Sequence, residues 1–328
     1  MGIKNLNRFL KQECENSIKM ISLKELYGKK IVIDISIYLY KFEAENALIE
    51  NIYLMLSVFA YYKIIPIFIF DGKPPNEKKE CIQKRMECKK KAETEYYDLK
   101  KQVEDSQSPC QNVEGLQTKM DILKKKFVYM HKEKIEEVKK LIRAYGATYY
   151  DAHGEADELC AMLVIKKKAW ACLSEDMDMF VYGCTRVLRY ISLLNHTVVL
   201  YDTISILENL GITQKELREI CVLSGTDYNG NIPDKNQFTL YQTLKLFKTY
   251  RKQKPVECLS FYDWLKNTTN INIIEYDSLI KINEMFDLTA IEKQSYMQQM
   301  GNIQIMNGTV MKDEIIKILK EYGFIFAQ

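Results

Sequence analysis

Apolar and polar positions alternate along this chain with two different periods, and the switches between them outline the expected elements. Dense β-branched runs predict buried strands at residues 29–40 ("KKIVIDISIYLY") and 64–70 ("IIPIFIF"), the second stopped by Gly72 and the Pro74-Pro75 pair. Between them, residues 43–62 carry apolar side chains at helical spacing, which gives a β-α-β unit and implies a parallel sheet. From residue 76 to about 145 the pattern turns long, helical and heavily charged. It breaks at 104–115 ("EDSQSPCQNVEG"), where Pro109 and Gly115 predict a loop between two helices. Much of this stretch lacks a buried face, so a helical excursion away from the core is expected.

Beyond it, residues 147–152 read as a short strand and 154–168 ("GEADELCAMLVIKKK") as an amphipathic helix, with acids in the first turn and lysines in the last. Residues 169–174 and 186–192 read as further strands, and 203–225 as helices. Strand and helix alternate to about Tyr201, after which the chain is mainly helical. The expected fold class is therefore α/β, with a central twisted, mostly parallel sheet flanked by helices.

Composition narrows the classes of function. A chain of 328 residues that is 47% hydrophobic can bury a sizeable core, and no apolar run approaches the roughly 20 residues of a membrane span. Lys4, Arg8 and Lys11 are followed by no apolar segment of a secretory signal, and Leu6 stands where a myristoylation motif needs Ser or Thr. A soluble, intracellular protein without a membrane partner is expected. Nine cysteines without a Cys-x-x-Cys pair, and only three histidines, argue for reduced thiols and against zinc. Any metal here must be held by oxygen.

Net charge is only +3, but it is unevenly spread: residues 73–140 hold 18 Lys and Arg against 13 Asp and Glu. The acids show a different pattern, gathering where strands end. Asp34 lies in the first run and Asp71 ends the second. Asp176 and Asp178 ("SEDMD", 174–178) follow another strand, and Glu155 and Asp157 open the helix after residues 147–152. In parallel sheets the crevice beyond the carboxyl ends of the strands is where ligands sit. Convergent carboxylates repel and resist ionisation unless a cation lies among them, and Mg²⁺ or Mn²⁺ suits oxygen ligands. Two such ions can serve the attacking and leaving oxygens of a phosphodiester, with no His, Cys or Ser nucleophile. Blander readings stand beside this one. Asp71 before Gly72 is a common turn former, and Glu155 and Asp157 also suit a helix N-terminus. Glu175 points away from the cluster by alternation if the strand continues to it, and is left out of the set.

The chain resembles the flap endonuclease and XPG family of structure-specific 5′ nucleases. The resemblance rests on "MGIKNL" at the start, "IDISIYLY" (33–40), "FDGKPP" (70–75), "GEADELCA" (154–161), "SEDMD" and "LSGTDYN" (223–229), in that order. It implies a PIN-like 5′-nuclease fold in which Asp34, Asp71, Glu155, Asp157, Asp176, Asp178 and Asp227 surround two Mg²⁺ ions, with Mn²⁺ as a substitute. Asp227 is added by the resemblance alone. Gly2 matches an N-terminal glycine whose backbone approaches the active site, and Tyr40 an aromatic that stacks on a base. Lys78 and Arg85 match a basic pair that contacts the scissile phosphate, and their spacing of seven places both on one helix face. The charged excursion corresponds to a helical arch over the single-stranded 5′ end.

The implied organisation is a nuclease region (1–105) including the start of the arch, the rest of the arch (106–140), an internal nuclease region (141–228) and a helical duplex-binding region (229–328). The implied reaction is hydrolysis of DNA at flaps or branched junctions in replication, repair or recombination. A 5′-3′ exonuclease, a junction-resolving nuclease or an inactive branched-DNA binder are the alternatives. A monomer is expected, in the nucleus if the source is cellular. A chain this rich in Lys, Ile and Tyr also suits an AT-rich genome such as that of a large DNA virus, and then the site of viral DNA replication is expected.

Two departures from the family stand out. Where relatives carry Gly-Ile-Gly in a helix-two-turn-helix that grips duplex phosphates with K⁺, this chain reads "NIPDKNQ" (231–237). Asp234 and Asn236 fall near the glycine positions, which puts the K⁺ site in doubt. The last residues, "KEYGFIFAQ", contain no sliding-clamp motif, so recruitment by a clamp is not expected.

Overall fold

The structure, a computed structural model, describes residues 2–105, 113–229, 238–253, 260–268, 276–289, 301 and 303–326. Its centre is a seven-stranded sheet in the order β1-β7-β6-β5-β2-β3-β4. The strands are β1 (Ile18–Ser22), β2 (Lys30–Asp34), β3 (Ile65–Phe70), β4 (Thr148–Asp151), β5 (Ala171–Leu173), β6 (Arg186–Ser192) and β7 (Thr197–Asp202). From β6 to β4 every neighbouring pair is parallel; β7 and β1 add an antiparallel edge. Neither the strand at 18–22 nor that at 197–202 was among the expected elements.

Helices cover both faces. Alternation along β2 shows why: Val32 packs with α1 (Leu6–Glu13), while Ile31 and Ile33 join the opposite core with α2 (Ser36–Ala44) and α3 (Leu48–Tyr61). Beyond β3 the chain forms α4 (Lys79–Asp105), α5 (Val113–Lys124) and α6 (Lys132–Ala144). The α4–α5 hairpin has a small core of its own around Ala92, Leu99, Met120 and Leu123. Gly115, expected in the loop, lies within α5; Pro109 falls outside the described residues. Residues 132–140, counted above with the arch, open α6, whose Val138, Leu141 and Ile142 are buried in the main core. Then come α7 (Ala156–Ile165), the short α8 (Asp178–Val181), α9 (Thr203–Leu210) and α10 (Gln214–Leu223). The remaining helices are α11 (Leu240–Gln253), α12 (Phe261–Thr268), α13 (Tyr276–Met285) and α14 (Lys312–Glu321). Among the described residues no helix is long and apolar enough to cross a membrane.

The run at 29–40 is not one strand. It ends at Asp34, whose Oδ1 accepts the Ser36 N–H at 3.2 Å, so the side chain turns the backbone into α2. Tyr40 therefore sits on a helix rather than a strand.

The C-terminal segment closes the β4 edge. Ala147 pairs with Asn307, Thr148 Oγ1 accepts the Met306 N–H at 2.6 Å, and Gly308 N–H reaches Gly146 O at 2.9 Å. At Gly146 (φ 68°) a Cβ would lie 2.6 Å from the Gly308 carbonyl carbon, so the two backbones touch only because both residues are glycine. Gly146→Ala is expected to cost about 2 kcal/mol from the left-handed backbone strain and the overlap. Urea unfolding that leaves the midpoint unchanged would refute this contact.

Candidate active site

The carboxyl ends of β2, β3 and β5 meet above the sheet, and the acids arrive there by different routes. Asp34 ends β2, is 5% exposed, and accepts from Ser174 Oγ at 3.0 Å. Asp71 follows β3, and its Oδ1 accepts the Ala156 N–H at 2.8 Å. The turn-former reading of Asp71 therefore gives way to a cross-element contact: this carboxylate caps the first turn of α7, where the helix dipole favours negative charge. Glu155 and Asp157 lie at that same N-terminus. Asp176 and Asp178 follow β5 through a tight turn in which Ser174 Oγ accepts Asp176 N–H at 3.1 Å, and Asp176 Oδ1 accepts Asp178 N–H at 3.0 Å.

Asp227 approaches from the turn after α10 and pairs with Arg85, while Lys78 pairs with Glu155. Lys78 ends a 3₁₀ turn (Asn76–Lys78) just before α4 and Arg85 lies in the second turn of α4, so the two reach the cluster from where the chain enters that helix and not from one face of a single helix. Tyr228, adjacent to Asp227, donates its hydroxyl to the second oxygen of Glu155. Gly2 (φ 73°) packs against the same acids: a Cβ there would lie 2.6 Å from Asp176 Oδ1 and nearer still to Asp178 Oδ1.

Tyr40 stands on the wall of the cleft, 43% exposed, with Lys89 Nζ 4.8 Å from its ring centroid. A cavity of about 560 Å³ runs between Tyr40, Arg85, Lys89 and the acids Asp34, Asp71 and Asp157.

Electrostatics within the cluster point to a missing positive charge. Burial, then the charges of Asp71 and Asp176, push Asp34 up to about 7. Burial and neighbouring acids hold Asp157 and Asp178 well above the ordinary carboxylate range. Burial alone would lower Lys78, but Glu155 outweighs it and the net shift is upward. Oδ1 of Asp157 and Oδ1 of Asp178 are buried without a hydrogen-bond partner. An all-oxygen donor set with orphaned buried acceptors and too little positive charge fits a hard divalent cation. As the side chains stand, no three acids, histidines or cysteines among the described residues already form a ready cage; Lys78 and Arg85 lie on two of the acids instead.

Three residues at the cluster, Arg189, Ser174 and Tyr228, were not among the candidates read from the sequence. Glu175 lies 3.5 Å from the guanidinium of Arg189; β5 ends at Leu173, so the turn and this ion pair, and not strand alternation, direct it. Arg189, 5% exposed, also donates to Glu175 O at 2.8 Å and to Asn7 Oδ1 at 2.9 Å. It lies under the very residues that alternate with Asp176 and Asp178, and it ties them to α1, just beyond Gly2. Ser174 and Tyr228 could have been found, since both lie inside quoted motifs. Arg189 stands in an ordinary strand pattern, so nothing marked it.

Arg189→Lys keeps the charge and loses the fork. Arg189 contacts Glu175, Met177 and Asn7 and not the clustered acids themselves, so its loss acts on the turn that carries Asp176 and Asp178; should those acids hold Mg²⁺, the concentration for half-maximal stabilisation against heat is expected to rise, by up to about 10-fold. A lower melting temperature with an unchanged Mg²⁺ midpoint would make Arg189 a packing residue only.

A mostly parallel sheet carrying acids at its carboxyl end, facing a helix whose first turns are basic, has the layout of a nuclease-like class of protein. Comparison with known proteins narrows it. Residues 1–92 match the XPG N-terminal domain and residues 146–227 the XPG I-region. Flap endonuclease 1 of Entamoeba histolytica is 30% identical over 269 residues, 76% of this chain and 68% of that protein. Flap endonuclease 1 of Glossina morsitans morsitans is 30% identical over 246 residues, and there the match spans 70% of this chain but only 61% of the fly protein. Among solved structures, the catalytic core of Rad2 in complex with DNA substrate shares the fold, with a TM-score of 0.59 at 21% identity over 98% of this chain and 94% of that one. The chain belongs to the flap endonuclease and XPG family of structure-specific 5′ nucleases.

Proposed function

We propose that the protein is a divalent-metal-dependent 5′ nuclease that hydrolyses DNA phosphodiester bonds at flaps or branched junctions. The observation that carries this reading is the meeting of Asp34, Asp71, Glu155, Asp157, Asp176, Asp178 and Asp227 at one cleft, with Gly2 beneath them and Lys78 and Arg85 above. Asp157 and Asp178, each with an orphaned oxygen, would hold Mg²⁺ or Mn²⁺ together with the other five acids. Bound ions supply Lewis acidity at the phosphate and a water of lowered pKa.

The chain's own groups do the rest. Lys78 and Arg85 exchange their carboxylate partners for the non-bridging oxygens of the scissile phosphate and stabilise the charge that grows there. Gly2 leaves room for the phosphate, since any side chain would press on Asp176 and Asp178. Tyr40 offers a ring on which the base beside the cut stacks once the duplex end unpairs. The first turns of α4, residues 79–91, carry six basic residues against two acids and attract the single strand through its phosphates. The residues that relatives use to grip the duplex fall at 230–237, outside the described residues, so this reading rests on the cleft alone.

The test is a panel of labelled 5′-flap, nicked, gapped and four-way DNA incubated with the protein in Mg²⁺. Cutting near the flap junction is expected. Release of single nucleotides from nicks and gaps would instead mark a 5′ exonuclease, and symmetric cuts in four-way DNA a junction resolver. Binding of flaps without cutting of any substrate in Mg²⁺ or Mn²⁺ would sink the enzyme reading.

A further inference from the structure

The opposite pole of the sheet holds a second, larger concavity. It lies at the amino ends of β2, β5 and β6, away from the acids, and has a volume of about 1000 Å³. Its floor is apolar, formed by Val164, Ile165, Ala169, Ile303 and Ile305, with Ile204 left 51% exposed at the margin. Its rim is cationic: Lys29, Lys30, Lys167, Lys168 and Arg186 line it, and no carboxylate does among the described residues. Lys29 Nζ lies 3.8 Å from the centroid of the Trp170 ring and the Arg186 guanidinium 5.2 Å from it.

Charge in this concavity is one-sided, bases without acids, whereas the carboxylate cleft sets Lys78 and Arg85 against acids. Lys78, Arg85, Lys134, Lys139, Arg218 and Arg251 all have acidic partners. Lys29, Lys30, Lys167 and Arg186 have none among the described residues, although acids make up almost half of the charged side chains. Like charges crowded around one indole repel, and that cost is relieved by an anionic guest. The guest must also cover the isoleucines. Single inorganic anions are too small to do so, and a nucleic-acid backbone presents phosphate and sugar where the floor asks for aliphatic contact. A peptide with acidic side chains along its edges and leucine or aromatic anchors between them satisfies both demands.

We propose that this groove docks an acidic, apolar-anchored peptide segment of a partner protein. It sits at the amino ends of the strands, so a partner held there leaves the carboxylate cleft free. The proposal is independent of the nuclease reading, because its measurement is peptide binding.

The experiment selects displayed random 12-residue peptides on the full-length protein, with excess Lys29→Glu/Lys167→Glu protein as soluble competitor. Selected peptides are then made with a fluorescein label and titrated by anisotropy against both proteins and against Trp170→Ala. Acid-rich sequences with one or two large apolar residues are expected, binding at least 10-fold more weakly to the double variant. Labelled oligo-dT of 12 nucleotides and a 12-residue polyglutamate serve as polyanion controls.

Three results would overturn the proposal: no peptide whose binding depends on the groove, selected peptides without acids, or oligo-dT or polyglutamate binding as well as the selected peptides. The lysine double variant confines the change to the surface, so it reads the groove even where Trp170→Ala fails to fold. Flap cutting by that variant is expected to match the wild type.

Discussion

Asp176→Asn with Asp178→Asn is expected to stop DNA cleavage while making the metal-free protein no less stable than the wild type. Loss of rate should be at least about 10³-fold, near 4 kcal/mol of transition-state stabilisation. The sign of the stability effect follows from where these acids sit. Asp176 is 7% and Asp178 2% exposed, burial and the charge of Asp176 raise the cost of ionising Asp178, and one oxygen of Asp178 has no partner. Without a divalent ion the wild type carries that burden unrelieved, and amides remove it. A thermal scan in EDTA should therefore show an equal or higher melting temperature for the double variant. The rise that Mg²⁺ gives the wild type should be absent. Flap affinity measured in EDTA should change by less than about threefold. If the variant unfolds at lower temperature in EDTA, the acids hold the fold by contacts other than mutual repulsion, and their assignment to metal falls.

Much of this site was legible because the chemistry is written in motifs that also control the backbone. Asp34 and Asp71 are readable from sequence since each ends a β-branched run, and those runs are the parallel strands. Asp176 and Asp178 follow a short apolar run without β-branched residues, Ala171–Leu173. What sequence patterning missed has physical reasons as well. The strand at 18–22 is an edge strand with mixed exposure, so Lys19 and Met20 break the apolar alternation that would betray it. The run at 29–40 looked continuous because isoleucine and tyrosine suit both helix interior and strand, and only the Asp34 side chain capping Ser36 N–H decides where it turns.

Long-range partnerships are the other gap. Nothing local in "RVLRYIS" says that Arg189 will reach back to Asn7 and Glu175, because that meeting depends on the sheet order. The same holds for Gly146 and Gly308, which are far apart in sequence and touch only when the C-terminal segment closes the β4 edge. Spacing along the sequence therefore finds six of the acids, each near a strand or helix end, while Asp227, in the turn after α10, comes from the resemblance alone. Spacing does not find the positioning contacts beneath the acids, which join elements that the sheet brings together.

Lys78→Ala is the second change expected to have a large effect, and it separates chemistry from binding. Lys78 is 8% exposed, pairs with Glu155 and lies 5.4 Å from the Tyr228 ring, so it is held in the cleft rather than sampling solvent. A fixed ammonium over the acids is pre-organised for charge that develops on the phosphate, and removal of such a group typically costs 10²- to 10³-fold in rate. Ground-state affinity should hardly move. If DNA lies along α4, the exposed basic residues of that helix would share the phosphate contacts and each would contribute little. Single-turnover cleavage is expected to slow by about 10²-fold with flap affinity within about threefold of wild type. Arg85, whose side chain is 44% exposed, is less constrained, so Arg85→Ala should lose binding and rate together and more mildly. Lys78→Arg keeps the charge but brings a broader, planar head into a tight site, and should recover part of the rate. Equal losses of affinity and rate in Lys78→Ala would reduce Lys78 to a phosphate contact and leave the acids to carry the chemistry without it.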